Sequence, residues 1–108
     1  MKKYAIITMD VEDWYHTYFP EANVDRSISL LDGLDVALDI MKKDDIHGSF
    51  FVVGEIADKL ADKLRAMDKE GHDIAVHNCQ HLRPVTMAPD EFRSQLLAVS
   101  YTHLRAHE

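Results

Sequence analysis

The sequence predicts an α/β fold of parallel strands joined by crossover helices, and two observations carry that prediction. Short apolar runs, too brief for helices, recur along the chain, and amphipathic stretches at helical spacing separate them. The resulting order of strand, helix, strand, helix, strand, helix calls for right-handed crossovers. It fits either an open doubly wound sheet or part of an α/β barrel. Both architectures bind ligands at the C-terminal ends of their strands.

The first strand is predicted over Tyr4 to Met9, where Ile6, Ile7 and Thr8 are β-branched and the run stops at the acidic cluster Asp10-Val11-Glu12-Asp13. Residues 12–26 are irregular and aromatic, with Trp14, Tyr15, Tyr18, Phe19 and Pro20. That length suggests a functional loop, although the aromatics equally suit plain coverage of the core. Ser27 or Asp25 is expected to cap a helix with Leu30, Leu31, Leu34, Ala37, Leu38 and Met41 on its apolar side. Gly33 weakens that helix without ending it. The run from Gly48 to Gly54 reads as the second strand.

Ile56, Leu60, Leu64 and Met67 then recur in helical register, and Gly71 stands where a left-handed C-cap is wanted. Asp73 to Val76 make the third strand and lead directly into His77. Pro89, followed by Asp90 and Glu91, opens a third helix through Phe92, Leu96 and Leu97. Unpaired strand edges in so small a sheet favour association or aggregation.

Composition narrows the functional classes. A chain of 108 residues is one domain at most, with a modest core. A formal net charge of −7, with Lys and Arg scattered among acids, disfavours nucleic acid or an anionic membrane as partner. No apolar run approaches the roughly 18 residues of a membrane span. The run after Met1-Lys2-Lys3 is too short for a signal peptide, so a cytoplasmic location is expected. Cys79 is the one cysteine, which excludes an internal disulfide and a four-cysteine zinc site.

Two polar clusters stand at predicted strand ends, and the topology brings them to one rim. If the chain coils into a helical turn after Val76, His77 and His81 face the same way, with β-carbons about 6 Å apart. A catalytic zinc site takes three ligands from His and carboxylate and keeps a fourth position for water. His77, His81 and one acid of the first cluster make such a set. A satisfied histidine pair in a loop is the plain alternative. Asp10, first in the cluster and nearest the strand, is the candidate base for the water. Glu12 shares a face with Asp10 in an extended strand, whereas Asp13 points elsewhere unless the backbone turns. Glu12 is therefore favoured as third ligand, with Asp13 as the alternative. His16 and His47 read as surface or loop residues, and His72 as structural. Packing or exposure suits Cys79 better than ligation.

The segments Thr8-Met9-Asp10-Val11-Glu12-Asp13-Trp14, Gly48 to Gly54, Glu70 to Ala75 and His77 to His81, in this order, resemble the polysaccharide deacetylases. These are carbohydrate esterase family four, or the NodB-homology domain, and the resemblance runs from Tyr4 to about Leu97. The Asp-Val-Glu-Asp-Trp form of the first motif resembles members tied to bacterial exopolysaccharide and cell-envelope work. The resemblance implies a distorted (β/α) barrel and hydrolysis of N-acetyl groups on an acetylated polysaccharide, with zinc or a related divalent metal. It places the base on Asp10 and metal ligation on His77, His81 and a following acid.

The commonest family form has adjacent aspartates followed by glycine, and Ser or Thr where Asn78 stands, so the fine tuning of the site differs here. Cys79 and Gln80 are also uncommon at their positions. The later family motifs, which carry an arginine that orients the base and a histidine general acid, do not occur. The expectation is accordingly a truncated domain over residues 1–98, of about three β/α units, with an incomplete site and no turnover.

Residues 99–108, Val99 to Glu108, resemble the in-frame translation of a sequencing-library adapter, so His103 and His107 are not taken as ligands despite their helical spacing. Two other functions fit the same residues. One, implied by the resemblance because relatives with similar first motifs act on such substrates, is an amidohydrolase on small cyclic amides or imides, and the other is a non-catalytic metal-binding or interaction module. A nucleotide-binding domain lacks support, because no glycine-rich loop follows the first strand.

Overall fold

A computed structural model describes residues 2–18, 23–78 and 84–97. Three parallel strands form one sheet in the order β1-β2-β3, with β1 at Thr8–Val11, β2 at Ser49–Val52 and β3 at Asp73–Val76. Asp10 pairs with Phe51 and Phe51 with Ala75, while Val11, Val52 and Val76 form the row above. Between β1 and β2 lie α1 (Trp14–Tyr18) and α2 (Gly33–Lys43), and between β2 and β3 lie α3 (Gly54–Ala57) and α4 (Ala61–Lys69). A short 3-10 turn at Pro84–Thr86 precedes a last helix, α5, over 89–97. The architecture is the α/β fold of parallel β/α units that the sequence predicts.

Strand alternation sorts the two faces of the sheet. Val11, Phe50, Val52 and Ile74 face one side and bury against Leu34 and Met41 of α2 and Leu64 and Met67 of α4. Thr8, Asp10, Ser49, Phe51, Asp73 and Ala75 face the other side, where all are exposed or half-buried. Among the described residues α2 and α4 thus cover one face, while the other stays exposed or half-buried. Glu12 and His77, one residue beyond the strands in the same alternation, continue the open face.

β1 begins later than the apolar run suggests. The Ser49 amide donates to the Ile7 carbonyl at 2.9 Å, and this rung starts the β1–β2 ladder because β2 itself begins at Ser49. Tyr4 and Ile6 lie beyond it and are each 86% exposed. The shift moves Asp10 from after the strand to inside it.

The helix expected from Ser27 also starts later, at Gly33. Asp25 does not cap it: its carboxylate accepts the Ser27 amide in a local turn. The Leu30 amide is taken by the Asp13 carboxylate at 3.0 Å, which holds this stretch out of helical geometry. Gly33 is consequently the first residue of α2, where its interior cost does not arise. The next helix, expected to run unbroken from Ile56 to Met67, divides into α3 and α4. Leu60 leaves helical geometry at ψ 7°, and its amide is shared between the Ile56 and Ala57 carbonyls.

α4 ends as the sequence predicts. Gly71 takes φ 95°, its amide donates to Asp68 at 3.0 Å, and the His72 amide donates to Met67 at 3.1 Å. These two bonds are the Schellman closure, which reverses the chain into β3. His72 is buried, and its Nδ1 accepts the Gly48 amide at 3.1 Å, in keeping with a structural role. Gly48 is needed for closeness: a Cβ there would lie 2.8 Å from Met41 Cε and 3.1 Å from the Ile7 carbonyl oxygen.

Candidate metal centre

The ladder extends one step past the strand ends and fixes the residues that follow. The Val53 amide donates to Val11 at 3.1 Å, the His77 amide to Val52 at 2.9 Å, and the Gly54 amide to the Asn78 carbonyl at 2.8 Å. Glu12 and His77 therefore leave the sheet from fixed backbone positions on either side of β2. The His77 Nε2 atom lies 3.1 Å from Glu12 Oε2 and 3.7 Å from Asp10 Oδ2. One ligand-capable atom from each of Asp10, Glu12 and His77 falls within 4.8 Å of the other two.

Access is graded across the three. The Asp10 side chain is 56% exposed, His77 28% and Glu12 18%, so Asp10 is the group open to solvent. The Thr17 hydroxyl donates to Glu12 Oε1 at 2.7 Å, while Oε2 of the same carboxylate faces His77.

Asp13 is turned away from this cluster. It is buried, and its carboxylate accepts the Trp14 amide at 2.9 Å, the Leu30 amide at 3.0 Å and the Ser29 hydroxyl. Burial works against its charge, but the hydrogen bonds from Ser29, Leu30 and Trp14, with the positive charge of Lys59, hold its carboxyl below the usual carboxylate value. Asp13 thus nucleates α1 and ties that helix to the segment before α2.

His16 corrects the sequence reading most clearly, because it is buried, at 1% exposure, rather than at the surface. Its Nδ1 accepts the Asp13 amide at 2.9 Å, which leaves the proton on Nε2, 3.3 Å from Glu55. Burial pushes its pKa down against the pull of Glu55, which favours the neutral ring. Arg26 donates to the other Glu55 oxygen at 2.7 Å and lies 4.8 Å above the Tyr15 ring, which is itself buried. His47, by contrast, is exposed as expected.

The helical turn supposed after Val76 does not form at its second residue: Asn78 takes φ 57°, a left-handed conformation that Asn tolerates. Cys79 and His81 lie outside the described residues, as do His103, His107 and the whole stretch 99–108. Thr17, Ser29 and Glu55 escaped the sequence reading. A helix begun at Trp14 carries Thr17 back toward Glu12, whereas Ser29 and Glu55 meet Asp13 and His16 only through the fold, from 16 and 39 residues away.

The profile of the polysaccharide deacetylases matches residues 5–102. A peptidoglycan N-acetylglucosamine deacetylase of Bacillus cereus is 32% identical over 60 residues, covering 56% of this chain and 22% of that protein. Among solved structures, a family 4 acetyl xylan esterase from Clostridium thermocellum, in complex with a cobalt ion, superposes with a TM-score of 0.69 at 21% identity. That match covers 94% of this chain and 42% of the other. The allantoinase PuuE superposes with a TM-score of 0.73 at 18% identity, over 93% of this chain and 41% of its own. The chain spans about a quarter of the length of the curated relatives it matches. With a profile match over most of its length and the same parallel β/α units in the solved structures, the chain belongs to the polysaccharide deacetylase family.

Proposed function

We propose that the protein containing this chain is a metal-dependent hydrolase that removes N-acetyl groups from an acetylated polysaccharide, with zinc the metal its donors suit best. The observation that carries this reading is the meeting of Asp10, Glu12 and His77 across two strands. The donor set fits: an imidazole nitrogen and a carboxylate oxygen 3.1 Å apart are ligand types a zinc site uses, and a second carboxylate stands beside them. Glu12 and His77, together with His81, would hold the ion. When bound, the metal supplies Lewis-acid polarisation of the amide carbonyl and acidifies water.

The chain's own groups divide the remaining work. Asp10 serves as general base, because it is the acid open to solvent and lies within 3.7 Å of His77 without occupying the closer Glu12 contact. Asp13 takes the structural part in this reading, with its oxygens occupied by the loop. The 108-residue chain alone is proposed not to turn over, since the family's base-orienting arginine and histidine acid belong to motifs it does not carry.

Calorimetric titration with zinc tests the reading. Binding by the chain should be lost in His77→Ala and in His81→Ala, and unchanged titration of either variant rejects the assigned ligands. Acetate release from acetylated chito-oligomers by the full-length parent should disappear in Asp10→Asn, and retained release there removes the base from Asp10.

A further inference from the structure

The loop after β1 carries two buried polar side chains, Asp13 and His16, whose bonds tie α1 to its own start, to the segment before α2 and to α3. Asp13 opens the helix, and His16 clamps it to the Asp13 amide on one side and to Glu55 of α3 on the other. Tyr15 buries beside them with its ring 4.4 Å from His16. On so short a helix, Thr17 is the exposed residue directly after the two buried anchors, and its hydroxyl meets Glu12 Oε1 at 2.7 Å.

We propose that Thr17 is a positioning residue for the metal centre: its hydroxyl holds Glu12 Oε1, so that Oε2 alone is presented toward His77. The inference rests on the metal-site reading above. A carboxylate on a free side chain rotates between one-oxygen and two-oxygen presentation. A donor fixed to one oxygen removes that freedom before the ion arrives. The Thr17 hydroxyl is that donor, and its own position is set by the bonds of His16 to the Asp13 amide and to Glu55 of α3 rather than by Glu12.

The test is zinc titration of the full chain by calorimetry, with unfolding midpoints measured alongside. Loss of an outer-shell partner of this kind weakens metal affinity by about 10–100-fold. Thr17→Val, which keeps the shape and removes the donor, should fall in that range, and Thr17→Ser, which keeps the donor, should bind like the parent chain. Thr17→Val binding as tightly as the parent, while His77→Ala does not bind, overturns the role of Thr17 and leaves the metal site standing. Thr17→Ser binding as weakly as Thr17→Val overturns it too, because the hydroxyl is then not what matters. Undiminished binding by His77→Ala removes the underlying site and this inference with it.

Discussion

His77 Nε2 lies 3.1 Å from Glu12 Oε2 although 65 residues separate them in sequence. Neither side chain is fully buried, and neither packs into the apolar core. The pair is therefore poor as a stabilising contact, because partly exposed ion pairs contribute about 0–1 kcal/mol. His77→Ala should change the free energy of unfolding by less than about 1 kcal/mol, measured by urea denaturation. A large loss of stability would mark the pair as structural.

Asp13, one residue beyond Glu12, should behave oppositely. Asn at this position puts an amide N–H2 among the donors of Trp14, Ser29 and Leu30, leaving a buried donor without an acceptor. Asp13→Asn should cost about 1–3 kcal/mol in the same denaturation experiment. Equal stability of the variant and the parent would contradict the hydrogen-bonded geometry described for this loop.

Falling pH should weaken the fold in two stages. Burial lowers the pKa of folded His16 below the ordinary 6.5, so as the pH drops through 6.5 the unfolded chain takes up a proton first and stability declines. Asp13 follows: its folded pKa lies below 3.8, so the stability it contributes is present above 3.8 and is lost as the pH falls from there through the folded value. Urea midpoints compared just above and just below pH 6.5 should show the first decline, and His16→Gln should flatten it. A midpoint that rises on acidification across this window is the contrary result.

Gly71→Ala should destabilise by about 1–2 kcal/mol, the cost of a left-handed conformation for a residue with a Cβ. The added carbon would also sit 3.1 Å from the His47 ring, but that side chain is exposed and free to move aside, so the backbone sets the cost. Thermal unfolding measures it. An unchanged transition temperature would contradict the φ of 95°.

Legibility in the sequence followed the kind of interaction involved. β3 was predicted to the residue, because Gly71 and Asp73 to Val76 are governed by local turn chemistry and alternation. Strand alternation places Glu12 on the face of Asp10, and the two carboxylates do lie together. The late start of β1 and the late start of α2 were not readable, since each depends on a distant partner: Ser49 for the first strand, Asp13 for the helix. His16 failed for the same reason. A histidine amid aromatics reads as surface until Glu55, 39 residues later, is known to face it.

The rungs from Val53 to Val11 and from His77 to Val52 have an evolutionary consequence. They tie the acids and the histidine to β2 rather than to α2 or α4, so the separation of Glu12 and His77 is independent of how long those two helices are. Insertions of whole turns in either helix would lengthen the interval between the motifs without moving them in space. Homologous chains can drift in that interval while the acidic and histidine motifs themselves stay fixed.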